Sequence, residues 1–540
     1  MEANASHKRV RDMLKNQISD KDSYLVVGAL VDNQLTGLDE LIRADAKVEP
    51  VTITSPEGKR IFERSLAFLL HIVVNRLIPK GALKVKYAYG EAVYCEIDGI
   101  EVDNQLLNRI KHELDTIIMQ DKPIERIDLT KEEAIALLKA SRRHDQIKLI
   151  KYLPFQMIPL YKCMDCYSYF YEPLVPSTGY LKVYELKRYG PGFLITPPDA
   201  SNPYRLAVVG EQPKLFTAFA NAKEEAEILR VETVGELNEI IASGKISDFI
   251  KVQEALHERR LIEIADMITK DRDRVKLVLV AGPSSSGKTT FSKLLYVHLM
   301  ANGLKPITVS LDDYFVDRDR TPLDEEGNPD YDCIEAVDVK LFNTHLQRML
   351  NNETVELPKF DFRIGKRRPS GRYVKLDKDT LLIIEGMHAL NPIIAADVSE
   401  HTKLKIYVSA LTQINMDNTT RLSTRDTRLL RRLVRDNLFR GHTALQTLRL
   451  WPSVVRGEEH YVFPFQEEAD VMFNSASLYE LAVLKGYAEP ILRGIDSSQP
   501  EYKDAIRLLA FLSHFMGIMP DEIPPTSIIR EFIGGSSFRY

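Results

Sequence analysis

The sequence predicts an α/β protein: a mostly parallel sheet around a phosphate-binding loop in the C-terminal half, preceded by an α+β domain. Three observations carry this. Residues 275–290 read as an apolar strand, a Gly-rich loop and the start of a helix. From Val275 onward strands and helices alternate, the order that a parallel sheet with crossover helices requires. Before that point the pattern is different, with hairpins and short strands grouped around a few helices.

Composition bounds the function classes. A chain of 540 residues holds three or four domains, and 44% apolar with 28% charged residues is ordinary for soluble globular protein. The net charge of −5 argues against a globally basic nucleic-acid binder. The first 23 residues lack an apolar signal-peptide core. The greasiest run, Leu66–Val74, is too short for a bilayer and contains His71. Four cysteines do not make a disulfide scaffold, and the lone C-x-x-C of Cys163 and Cys166 lacks a second ligand pair. A cytoplasmic protein without a membrane segment is expected.

The elements follow in order. Residues 24–54 alternate short apolar runs with turns such as Asp32-Asn33, a small β-rich module that sets the first unit at 1–56. Ile61–Leu77 has helical apolar spacing, Leu83–Ile97 reads as a hairpin, 104–119 and 131–140 as helices, and 157–196 as strand-rich. These make a second unit, 57–222. Residues 223–274 are charged and helical with a break at Ser243-Gly244, a connector rather than a floppy linker. The α/β unit spans 275–475, and 476–540 is a helical extension with a tail. The tail, Ile528–Tyr540, either docks back on the body or is disordered.

The chemistry centres on the loop. Gly282, Pro283, Ser284, Ser285, Ser286, Gly287, Lys288 and Thr289 fill G-x-x-x-x-G-K-[ST], and Thr290 follows as a further cofactor-binding candidate. Inward-facing N–H groups and the positive end of the following helix hold a polyphosphate. Lys288 reaches the β/γ-phosphates and Thr289 supplies a hydroxyl for Mg²⁺. The run Ile307–Leu311 ends in Asp312-Asp313, so Asp312 can accept a proton from a substrate hydroxyl; a mere capping role is the alternative, stronger for Asp313. Glu385, ending the run Leu381–Ile384, is a candidate for the metal's water shell. Arg421, Arg425, Arg428, Arg432 and Arg435 fall on one helical face, read as a lid over phosphates with an RNA-binding face as the rival.

These residues resemble the uridine kinase/phosphoribulokinase group of P-loop kinases. The likeness rests on Gly282–Thr290, Ser310–Phe315, Tyr331-Asp332, Leu357–Phe362, Ile384–Gly386, Arg431–Asp436, Arg440-Gly441 and Ala469–Val471. It implies a P-loop NTPase fold using ATP and Mg²⁺. It puts Asp312 on the catalytic base, Asp332 on the group that holds ribose hydroxyls with Tyr331 beside it, and Lys288 on the phosphates. Arg431, Arg432, Arg435 and Arg440 fall in the phosphate-clamping lid. Where uridine kinases carry a Tyr and a His that read the pyrimidine, Phe360 and Gly365 stand here, and His442 replaces the second Arg of the lid's Arg-Gly-Arg. A site without those polar groups loses base discrimination. The expected reaction is phosphorylation of a nucleoside hydroxyl, with a phosphoribulokinase-like sugar acceptor or an RNA-associated regulatory ATPase as alternatives.

The front half is similar to the editing domain of threonyl-tRNA synthetase, behind a truncated TGS-type β-grasp module. The likeness is carried by Pro56–Leu70 and Pro173–Gly179. The family's H-x-x-x-H and C-x-x-x-H positions are Arg64 and Phe68, then Phe170 and Leu174. The hydrolytic constellation is therefore gone, and an apolar Phe68/Phe170/Leu174 cluster points to a packed former site. Bracing or regulation is favoured over RNA binding. The expected partner is a small nucleoside or sugar substrate, and a homo-oligomer is left open.

Overall fold

The computed structural model describes residues 7–15, 20–325, 327–377, 380–412 and 414–540. The first six residues of the 1–56 module lie outside the described residues. The C-terminal half is built on five parallel strands, in spatial order Lys305–Ser310, Thr380–Glu385, Leu277–Ala281, Lys403–Ser409 and Val471–Asn474. Leu277–Ala281 is buried along its whole length, which explains its unbroken apolar run. One face packs Val278, Val280 and Ile383 under Phe291 and Leu295 of the helix Lys288–Ala301 and under Ile264 of the helix Ile246–Lys270. The other packs Leu279, Leu382 and Ile384 against Phe342 and Leu346 of the helix Val339–Leu350. Chain order reverses around the central strand, so the loop at its carboxyl end opens into the crevice where such sheets bind ligands.

The front half has the expected elements. The helix starts at Pro56 and runs to Leu77, because Ser55 accepts a hydrogen bond from the Gly58 N–H and Pro56 fits the first turn. Gly58 is needed for contact rather than conformation: a Cβ there would sit 1.9 Å from the Thr52 carbonyl oxygen. This helix packs on an antiparallel sheet ordered Glu185–Tyr189, Gly192–Thr196, Ala92–Ile97 and Leu83–Tyr89. Val26–Val31 pairs with Gln34–Thr36 and Val48–Thr52 in the small leading module. Cys163 and Cys166 face each other across the turn joining Met157–Cys163 to Cys166–Tyr169, with Met164 at φ 54°. Burial pushes the Cys163 thiol up to about 12, the opposite of a reactive thiolate.

One helix, Pro213–Leu229, runs through the expected 222/223 boundary of the helical connector. The connector breaks at Arg230 (φ 53°) as well as at Gly244 (φ 74°). Residues beyond 475 are no appendage. Leu481 and Leu484 of the helix Glu480–Arg493 and Leu508 of Tyr502–Leu512 share one core with Leu138 and Leu149 of the front half. The same core takes Leu237 of the connector and Leu430 and Leu433 of the helix Thr424–Arg435.

Polar groups fasten the two halves as well. Arg143, 1% exposed, donates to Ser168 (2.6 Å) in its own half and to Asp417 and Thr419 (both 3.0 Å) in the other. Gln146 also donates to Asp417 (3.1 Å), and Val85 and Asn418 join by backbone at 2.7 Å. Removing one partner of such a buried pair costs about 3–5 kcal/mol. Among the described residues no helix is long and apolar enough to cross a membrane.

Candidate active site

The loop has the conformation its glycines permit. Gly287 lies at φ +82° and Ser285 at φ +58°, while a Cβ on Gly282 would sit 2.1 Å from the Val408 carbonyl oxygen. The loop is held from behind by fully buried charge. Arg428 donates to both Glu458 carboxylate oxygens (2.5 and 2.8 Å) and to the Ser284 carbonyl (3.1 Å), and Glu458 accepts the Ser284 N–H at 2.8 Å. Arg431 reaches the Ser285 carbonyl at 3.3 Å, and the Ser475 hydroxyl donates to the Ser286 carbonyl. The Ser285 and Ser286 hydroxyl oxygens are buried and have no hydrogen-bond partner. Such groups demand an acceptor or donor, and phosphate oxygens in the cradle would supply it.

Three carboxylates stand beside the loop. In register with Ser310 and Val280, Glu385 accepts from the Ser310 hydroxyl at 2.9 Å and from the Thr289 hydroxyl at 3.5 Å. Burial, then the nearby Asp312 charge, pushes it up to about 7, although Lys288 pulls the other way. One buried carboxylate beside a hydroxyl fits Mg²⁺, which binds through few protein ligands plus waters and phosphates. Asp312 lies on the single turn Leu311–Tyr314 directly after its strand. Asp313 has a different task, accepting the Phe360 N–H at 3.2 Å with Lys359 at 3.7 Å. It anchors the hairpin Val355–Asp361/Lys366–Val374. Burial raises Asp332 to about 6, with Arg432 opposing.

The arginine stripe is corrected. Arg421, ahead of the helix, pairs with Glu63 of the front half (3.8 Å), and Arg425 turns outward to Glu459 (2.8 Å). Arg428 is the loop's brace. Arg431, expected to touch substrate, is fully buried and committed to Glu480 (2.6 Å), to the Ser475 carbonyl (2.8 Å) and to the Phe532 ring. Its helix, Thr424–Arg435, is therefore a supporting wall with Leu429, Leu430 and Leu433 in the core rather than a free lid. Arg432, Arg435 and Arg440 converge on one buried acid, Asp436, at 3.3, 3.4 and 3.6 Å. Three cations on one anion leave positive charge over. Arg432 also donates to the Ser284 hydroxyl at 2.9 Å, and burial with the Arg440 charge depresses Arg435 to about 10. An approaching phosphate would relieve this.

On the acceptor side Phe360 is buried, edge-on to Phe315 (5.7 Å) and Phe362 (5.0 Å), while Tyr331 is 43% exposed. Gly365, at φ +67°, leaves no vacancy, since a Cβ there would lie 2.2 Å from Cδ of Arg318. Arg318 lies across it and donates to the Phe362 carbonyl at 2.6 Å. The sequence reading missed Arg318 and Glu458, for which no local spacing gives a signal, and left the tail open between docking and disorder. The tail docks. Ile528 packs against Gly287, and Glu531 accepts from the Thr290 N–H (3.2 Å) and hydroxyl (2.5 Å). Tyr540 meets that hydroxyl at 2.8 Å, and Lys293 donates to the Arg539 carbonyl.

Residues 277–482 match the Phosphoribulokinase / Uridine kinase family. The C-terminal half is a kinase domain of that family. A uridine kinase of Anoxybacillus flavithermus is 26% identical over 213 residues, 39% of this chain and 92% of that one. A threonine–tRNA ligase of Clostridium kluyveri is 32% identical over 166 residues, 30% of this chain. The chain spans about a quarter (26%) of that ligase's length. A structure titled as a possible uridine kinase from Bacillus stearothermophilus has 19% identity and a TM-score of 0.27, covering 40% of this chain and 98% of that one. Within the synthetase-like half, Phe68 and Phe170 of the lost constellation's positions are packed edge-on at 5.5 Å, while Arg64, paired with Glu172, lines a cavity.

Proposed function

We propose that the kinase domain transfers the γ-phosphoryl of ATP to a hydroxyl of a nucleoside. The observation that carries this is that Glu385 ends its strand beside the loop, Asp312 follows the end of the neighbouring strand, and Asp332, in a bend, feels the charges of Asp312 and Arg432. Lys288 and the loop N–H groups bind the phosphates, and Thr289 and Glu385 hold Mg²⁺. When bound, that ion offsets charge on the β- and γ-phosphates. Asp312 takes the hydroxyl proton, and Asp332 accepts hydrogen bonds from a vicinal diol. Arg432, Arg435 and Arg440 stabilise charge on the transferring group, where preorganised cations act most strongly.

A second reading, a sugar or sugar-phosphate acceptor, is supported by Arg318. Its guanidinium lies beside the aromatic cluster, where the resemblance would put a base-reading histidine, and cations suit phosphates rather than neutral bases. A screen of nucleosides, pentoses and pentose phosphates with ATP, read by ADP release, separates the two. Asp312→Asn is expected to lower kcat by about 10²–10⁴-fold with ATP affinity within threefold of the parent. Near-normal turnover in that variant would remove Asp312 as the base.

A further inference from the structure

A second cavity, of about 100 Å³, lies where the front half meets the start of the arginine-bearing helix. Its body is apolar, walled by Phe62, Leu66, Val85, Val93 and Ile195 of the front half. Its polar wall is unusual. Arg60 makes no ion pair or hydrogen bond through its side chain among the described residues, and its Nε is buried without a partner. The acids around it are occupied: Glu57 by Lys503 (2.9 Å), Glu172 by Arg64, and Asp426 by both Arg507 nitrogens (2.8 and 2.9 Å). Asp504, the remaining acid near Arg60, lies 3.7 Å from Arg507. In the same cavity, Thr420 is 9% exposed and its hydroxyl also lacks a partner.

Unmet guanidinium and hydroxyl donors in a pocket of this shape call for an acceptor. Arg60 is half-buried and its Nε is cut off from water without an acceptor, as is the Thr420 hydroxyl, and such groups gain when an anion bonds to them. We propose that this cavity binds a small organic anion, a carboxylate or phosphate monoester on a compact apolar body. The anion bonds to Arg60 and the Thr420 hydroxyl, and the body lies on Phe62 and Val93. Residues 419–422 lead straight into Ser423, the N-cap of the helix whose Arg428 holds the phosphate loop. The ligand therefore joins the synthetase-like half to the element that shapes the nucleotide cradle.

Titration calorimetry with benzoate and phenyl phosphate tests this on the full chain. One probe should bind the parent protein, weakening at least tenfold in Arg60→Gln and at least threefold in Thr420→Val. Benzoate alone identifies a carboxylate ligand, phenyl phosphate alone a phosphate ligand, and both a site for either anion. Anion binding at the phosphate loop survives both substitutions, so equal affinity in all three proteins overturns the proposal, as does no binding of either probe. Thr420→Val is close in size and guards against a folding defect in Arg60→Gln. The readout does not use turnover: Asp312→Asn should bind the probe like the parent even if the kinase reading fails.

Discussion

Glu531 offers the sharpest test of how the tail and the nucleotide share the loop. Its carboxylate sits 3.2 Å from the Thr290 N–H and 2.5 Å from its hydroxyl, in the first turn of the helix Lys288–Ala301. Amides at that end of a phosphate loop bind phosphate oxygens, so carboxylate and triphosphate compete for the same donor. Glu531→Gln keeps the shape and one acceptor but removes the charge. A carboxylate at a partly buried helix N-terminus is worth about 1–2 kcal/mol. If that preference must be surrendered when ATP enters, its loss tightens ATP-analogue binding by about 5–30-fold, at 1.4 kcal/mol per tenfold. Calorimetry with a non-hydrolysable analogue at fixed Mg²⁺ measures this directly. Tyr540→Phe, which removes uncharged contacts to the Thr290 (2.8 Å) and Ser536 (3.2 Å) hydroxyls, should change affinity by less than about threefold. Equal or weaker binding by Glu531→Gln would refute the competition.

Two further outcomes follow from buried charge. Glu458→Gln leaves Arg428 without its counter-charge, and chemical denaturation should show a loss of about 3–5 kcal/mol; a loss below 1 kcal/mol would mean that the loop does not depend on this pair. Asp332 is raised from 3.8 to about 6, so the folded protein holds that proton more tightly than the unfolded chain does. The resulting destabilisation is absent below the unfolded value, grows as pH rises through the folded one, and is complete above it. Asp332→Asn should therefore stabilise the protein by up to about 3 kcal/mol at pH 8 and by little near pH 4, read from thermal melts. An equal gain at both pH values would contradict a buried, proton-holding carboxyl.

Local pattern made much of the nucleotide site legible. The strand, the glycines, Lys288 and Thr289 are contiguous, so the chain near the loop determines the conformation that orients them. Strand ends likewise announced Asp312 and Glu385, because the carboxyl edge of a parallel sheet is where side chains meet a ligand. The arginines show the limit. Their 4-3-4-3 spacing put five on one helical face, but the helix starts at Thr424 and leaves Arg421 outside it, and spacing cannot tell which neighbour covers the other four. Glu458 and Glu480, distant in sequence, take Arg428 and Arg431 out of solvent and turn a predicted lid into a wall.

The same reason governs the rest. The lost histidines and cysteine in the front half could be read from residue identity, and so could the apolar packing that replaced them. Whether this half stands apart was decided by tertiary structure, through Arg143 buried against Asp417 and through a core shared by Leu138, Leu430 and Leu484. A sequence determines which atoms are available and, over a turn or a strand, where they point. Juxtapositions of residues hundreds of positions apart, such as Glu531 on Thr290 or Arg60 and Thr420 lining one cavity, exist only once the chain has closed on itself.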